Sequence, residues 1–372
     1  MELTKTKRFT ALDIFRGMTI CLMIIVNTPG DYNATFSLLL HANWHGFTPT
    51  DLVFPSFLFA IGSSLVFVKS KWKDKEASQV FFKIIKRSVI IFLLGYLMYW
   101  FPFFDWTDSG SLTFRPISET RILGVLQRIA LCYLAASVMI YYFTPRQLVI
   151  SSVAILLGYW FVMGVFGDYT LPGNAALMVD KIILGASHLY TGDGIPFDPE
   201  GLLSTFPSIV NILGGYLLGL FLTKTDLSSY RSLALPLLAG ISLLFVGFLW
   251  DFLFPINKKL WTSSFVIFTI GLDLIVFSFI LYLTDFIKKP WKFKFFETFG
   301  VNPLFIYLLS EYLAILMWWI PVGDISLFDF LYQKGFSFMG PYVGSLAFAL
   351  AFMMINWSMA KWLENRKIII KV

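Results

Sequence analysis

Apolar residues fall in runs of about 17–25 positions, the length a helix needs to cross the hydrocarbon of a bilayer. The runs predict spans near 11–28, 50–68, 87–104, 121–143, 147–166, 201–223, 232–254, 261–285, 299–320 and 341–362. Ten spans return the chain to the side on which it began. The expected fold is all-α: a polytopic membrane protein, a single bundle of about ten transmembrane helices, with residues 1–372 as one domain. One stretch departs from the simple pattern. Residues 41–64, HANWHGFTPTDLVFPSFLFAIGSS, begin with hydrogen-bonding side chains from His41 to Asp51, then run apolar with no further charge until Lys69.

Composition agrees with a bilayer. The chain is 57% hydrophobic and 14% charged, against about 25% charged in a soluble domain. The first apolar run follows KTKR but contains Asp13 and Arg16 and has no small-residue cleavage site, so it reads as a retained span rather than a signal peptide. Cys21 and Cys132 both sit inside apolar runs and read as small buried hydrophobes.

Charge orients the bundle. With the N-terminus in the cytoplasm, 21 of the 29 Lys and Arg fall in inner segments, six in outer segments, and Arg16 and Arg128 within spans. That bias predicts cytoplasmic termini by the positive-inside rule. It also accounts for the net charge of +6 without nucleic acid as a partner.

Ionisable groups within spans mark functional positions by default. Asp13 and Arg16, three apart, share a helix face, so Arg16 either pairs with Asp13 or receives an anionic ligand from the cytoplasm. Asn27 lies about 16 Å further along the same helix at 1.5 Å per residue, near the outer surface with His41. It caps the helix, orients an imidazole, or donates to a developing oxyanion. His41 and His45 would share a face if their segment were helical. Zinc needs three or four ligands, and no third His or Cys lies nearby, so no metal is expected. A single His beside Asn27 and Asp51 fits acid–base or nucleophilic chemistry, or a structural histidine. In RILGVLQRIALCYL, Arg121 and Arg128 stand two helical turns apart, flanking Gln127. They require carboxylates such as Glu119 and Glu200, or ligand phosphates. The segments starting at Asp198 and at Pro255 carry Glu200, Asn257 and Lys258 to the same outer side.

These stretches, with LDIFRG (12–17), FDPEGLLSTFPSIVN (197–211), PINKKLWTSSFV (255–266) and GVNPLFIY (300–307), resemble in order the heparan-alpha-glucosaminide N-acetyltransferase family of transmembrane acyltransferases, in a bacterial form. The resemblance implies transfer of acetyl from cytoplasmic acetyl-CoA to the amine of an amino sugar or glycan acceptor across a bacterial inner membrane. It places the family's active-site histidine on His41, in an HAxWxG pattern, and its active-site asparagine on Asn27, with a longer spacing between them than the family's. His45 falls where the family often has asparagine. The chain is expected to lack the large luminal N-terminal domain and leading span of the animal enzyme. Some family members are dimers, although no heptad here marks an interface.

On this reading His41 is general base or acyl carrier, assisted by Asn27 or Asp51. Arg16, Arg121, Gln127 and Arg128 are candidates for the co-substrate, acetyl-CoA. Trp44, Asp198, Glu200, Asn257 and Lys258 are candidates for the acceptor. The competing reading is a transporter of a sugar or glycan intermediate. The absence of visible inverted repeats and the clustering of polar groups toward the outer half weigh against it.

Overall fold

The computed structural model describes residues 9–72, 74–107, 109–289 and 293–370. The chain is all-α and polytopic. Among the described residues eight helices are long and apolar enough to span a bilayer: α1 Thr10–Asn27, α2 Val53–Ser70, α4 Val125–Tyr142, α5 Pro145–Val165, α7 Leu202–Thr223, α8 Tyr230–Asp251, α9 Ser263–Leu281 and α13 Pro341–Asn365. Between α2 and α4 lies α3, Ala77–Trp100. It is as long as the others, but Lys83, Lys86 and Arg87 occupy its first half.

The ninth expected span is broken. Helices α10, Lys294–Val301, and α11, Pro303–Trp319, meet at 86°. Pro303 cannot donate a backbone hydrogen bond into the preceding turn. Asn302 at the corner instead bonds the C-terminal strand of chain: its Nδ2 donates to Ile368 O at 2.9 Å and its Oδ1 accepts from Ile370 N at 2.8 Å. Arg16, near the start of α1, donates to Gly300 O at 3.1 Å. Both ends of the described chain therefore lie at one end of the bundle.

Three other boundaries differ from the sequence reading. The third span begins ten residues earlier than position 87, because helix propagates through its charged end. The fourth begins at Val125 rather than 121, so Arg121 precedes the helix and is not two turns from Arg128 on it. Helix α9 ends at Leu281 and runs into a π-turn, Tyr282–Phe286. The loops at the opposite end from Arg16 contain helices the pattern did not show, α6 Ala175–Leu184 and α12 Leu327–Gly335, and two short hairpins, β1 Phe104–Trp106 with β2 Leu112–Phe114 and β3 Pro321–Val322 with β4 Ile325–Ser326.

Helices α2 and α7 form the central crossing. A Cβ on Gly62 would lie 1.9 Å from Ile212 O, and one on Gly215 would lie 1.9 Å from Phe59 O. Two small residues facing each other let the backbones touch, the usual means of tight packing in a bilayer, where lipid is as apolar as leucine. The core around this crossing runs from Ala11 to Leu363. Helices α5 and α8 lie at its edge, α5 joining it through Leu148 and Leu156, and both expose large apolar side chains such as Phe161 and Phe245.

Candidate active site

The cavity is assembled where α1 ends and α2 begins. Helix α1 stops at Asn27, and the chain returns through an irregular loop to Thr48. There TPTD starts the next helix: Thr48 and Asp51 form a capping box, with Pro49 in the first turn. A box of this kind satisfies orphan N–H groups with the side chain three residues on, and it fixes the Asp51 carboxylate. Its Oδ2 accepts from Thr48 N at 2.9 Å, Thr48 Oγ1 at 3.1 Å and Ala42 N at 3.2 Å. Oδ1 is left for His41 Nδ1, at 2.7 Å. Asp51 is fully buried, while 41% of the His41 side chain remains exposed.

An acceptor-only carboxylate on Nδ1 selects the tautomer with the proton there and the lone pair on Nε2. Lys258 Nζ lies beside both ring nitrogens, 3.0 Å from that Nε2 and 3.2 Å from Nδ1. Burial and the adjacent Lys258 charge hold the His41 imidazole below its ordinary value, against the pull of Asp51. Burial also lowers Lys258, against Glu200 and Asp51. The result is a neutral imidazole with an oriented lone pair, the form a base or nucleophile requires.

The cavity, about 550 Å³, is lined by His41, Asp51 and Lys258, by Asn27 and Glu311, and by Arg121 and Glu200, with Tyr99, Tyr190 and Tyr307 among its walls. Asn27 Nδ2 donates to Glu311 Oε1 at 3.1 Å. Arg121 is clamped by Asp198, at 2.8 and 2.6 Å, and by Glu200 at 2.7 Å. Its guanidinium sits 4.9 Å from both the Tyr99 and Tyr190 rings. Although buried, Glu200 is held below the usual carboxylate range by Arg121, Arg128 and Lys258.

Not every expected residue lines this cavity. Asp198 is buried behind it against Arg121. Trp44 points away: its Nε1 donates to Tyr169 O at 2.8 Å and its ring meets Phe197 edge-on. Asn257 shapes the turn that carries Lys258, accepting from Leu260 N at 2.8 Å and donating from its backbone N to Thr262 Oγ1 at 3.0 Å. His41 and His45 lie on irregular chain, so they share no helix face, and His45 turns instead toward Asn257. Arg128 is fully buried, donating to Ser204 and to Gly201 O at 3.2 Å and standing 4.8 Å from the Trp261 ring. Gln127 is buried beside Gly95.

Arg16 lies at the opposite end of α1. It pairs with Asp13 at 2.6 Å and lines two other cavities there, of about 520 and 100 Å³, both shared with Arg87, Pro303 and Leu304. It therefore forms no common site with Arg121, Gln127 and Arg128. Sequence reading missed Glu311, although a lone carboxylate in LLSEYLAILMWW is the signal that intramembrane charge provides. It also missed Arg87, whose guanidinium sits 4.8 Å from the Tyr133 ring. The cavity tyrosines carry no signal in a chain this rich in aromatics.

Residues 8–247 match a family model described as "Heparan-alpha-glucosaminide N-acetyltransferase, catalytic". The chain is similar to heparan-alpha-glucosaminide N-acetyltransferase of Mus musculus, 27% identical over 369 residues, covering 83% of this chain and 54% of the relative. It is similar to the Homo sapiens protein of the same name, 28% identical over 363 residues, covering 82% and 53%. The chain thus spans about half the length of the curated relatives it matches.

Proposed function

The chain belongs to the heparan-alpha-glucosaminide N-acetyltransferase catalytic family, and we propose that it moves acetyl from acetyl-CoA to the amine of an amino sugar or glycan end. The observation that carries this reading is the His41–Asp51 pair, 2.7 Å apart, lining a cavity that also holds Asn27 and Glu311. We take residues 1–372 as one catalytic unit in a bacterial inner membrane, with the Arg16 end cytoplasmic, as the charge bias directs.

The acceptor amine is a cation at neutral pH and must lose a proton before it attacks. Glu311 and Glu200 offer negative charge to that cation within the cavity. One proton leaves the ammonium for solvent to free the amine, and His41 Nε2 takes a second as the amine nitrogen bonds to the thioester carbon. The C–S bond then breaks, and the proton passes to the departing thiolate. Lys258 moves from Nε2 to the carbonyl oxygen, where its charge stabilises the oxyanion. A route in which Nε2 first takes the acetyl group uses the same atoms in two steps.

The donor enters from the other end. Arg16 and Arg87 line the cavities there and suit its phosphates. The smaller cavity reaches Ile129 and Leu304. One turn further on, Val125 and Tyr307 line the His41 cavity. Along α4 and α11 the two cavities thus lie about one turn apart, a gap that a slender pantetheine arm would span.

Purified protein given labelled acetyl-CoA and glucosamine is expected to form N-acetylglucosamine and one free thiol per acetyl moved. Folded protein that acetylates no amino sugar or glycan end, or proteoliposomes that accumulate a sugar without acetyl-CoA, would overturn the reading.

A further inference from the structure

A third cavity at the Arg16 end, also basic, has a volume of about 450 Å³. Lys69, Lys75 and Lys224 supply its charge, and Trp72, Tyr141 and Tyr216 its aromatic wall. It is separate from the donor route. The donor cavity uses Ile61, Leu65 and Val68 of α2, whereas this one uses Val66, Lys69 and Ser70. At 100° per residue these are different faces of the helix.

Among the described residues no carboxylate pairs with its lysines. None of the ion pairs among the described residues involves Lys69, Lys75 or Lys224, and among those residues no carboxylate lines the cavity. Lys69 donates to Ile140 O at 2.7 Å and faces the Tyr216 ring at 5.7 Å, which holds its ammonium in place. Lys83 and then Lys71 crowd Lys75 and keep it below the usual lysine range. An anion bound here would relieve that repulsion. The mouth adjoins apolar surface. Pro145 lines the cavity and opens α5, where Val149, Ile150 and Val153 are exposed.

We propose that this cavity binds the phosphate headgroup of an anionic phospholipid, with the lysines on the phosphate and the acyl chains along α5. Basic pockets between transmembrane helices at the cytoplasmic face recognise such headgroups by charge. The other phosphate source in this protein's chemistry is the donor nucleotide, which the experiment separates.

The full-length protein in detergent is titrated with phosphatidylglycerol, with phosphatidylcholine and with CoA, and thermal unfolding is followed. Phosphatidylglycerol is expected to raise the midpoint and phosphatidylcholine to leave it nearly unchanged. Lys75→Gln/Lys224→Gln should require about thirtyfold more phosphatidylglycerol for the same rise, with its CoA response intact. Lys75→Arg/Lys224→Arg should respond as wild type. Equal rises with both lipids, a full phosphatidylglycerol response in the Gln variant, or loss of the CoA response alone would overturn the assignment. Should the Gln variant not fold, native mass spectrometry of delipidated wild type decides. Preferential retention of added phosphatidylglycerol over phosphatidylcholine supports the site, and equal retention overturns it.

Discussion

Lys258 Nζ stands 3.0 Å from His41 Nε2, the ring nitrogen that Asp51 leaves free. A positive charge at that distance disfavours a second one on the ring, so burial and then the lysine favour the neutral imidazole. Lys258→Met is therefore expected to raise the His41 pKa. The acid limb of the kcat–pH profile should move to higher pH, and the plateau rate should fall as the charge near the oxyanion is lost. A pH–kcat profile of the variant checks both changes.

Asp51 acts in the opposite direction on the same ring. Asp51→Asn removes the negative charge that favours imidazolium, so the limb should move to lower pH. It also loses the acceptor that selects the tautomer, so kcat should drop by about 10²-fold or more. His41→Ala should abolish transfer while the unfolding midpoint stays close to wild type. Single-turnover kinetics and a melting curve test the pair, and an active His41→Ala protein would sink this mechanism.

Glu311 orients Asn27 from across the bundle. Glu311→Gln keeps the shape but removes the charge and allows the amide of Asn27 to turn over. The expected result is a higher KM for the amine acceptor with the KM for acetyl-CoA unchanged. Asn27→Ala should lower kcat instead, and initial rates with each substrate varied separate the two effects.

Arg87 should show the complementary pattern. Arg87→Ala is expected to raise the KM for acetyl-CoA several-fold and to leave the acceptor KM unchanged. Truncated acetyl-pantetheine, which lacks the nucleotide phosphates, should be used equally well by the variant and by wild type.

The α2–α7 crossing predicts a stability effect. Gly62→Ala places a methyl where only 1.9 Å separates it from Ile212 O. Backbone cannot yield as a side chain can, so a loss of about 1–3 kcal/mol is expected. The unfolding midpoint in detergent measures it.

Much of the fold could be read from the chain because bilayer length and apolarity impose it locally. Eight spans were visible as runs. The ninth concealed a right-angle corner, although NP at 302–303 signalled a break, because hydropathy is blind to direction. Helix α3 was displaced because its charged half continues a helix that an apolar window cannot follow. The capping sequence TPTD, read as local chemistry, would have tied Asp51 to the start of α2.

The sequence by itself determined an all-α membrane protein, the polar loop at 41–51 with His41 in it, and the family. Each rests on neighbours in the chain or on composition. Only the tertiary structure decided what His41 faces. Lys258 reaches it from 217 positions away, and Glu311 reaches Asn27 from 284. It also turned Trp44 away from the cavity and set Arg16 and Arg121 at opposite ends of the bundle. Those relations depend on how helices cross, and close backbone approaches such as that of Gly62 and Gly215 set the crossings. No single helix encodes the partner it will meet.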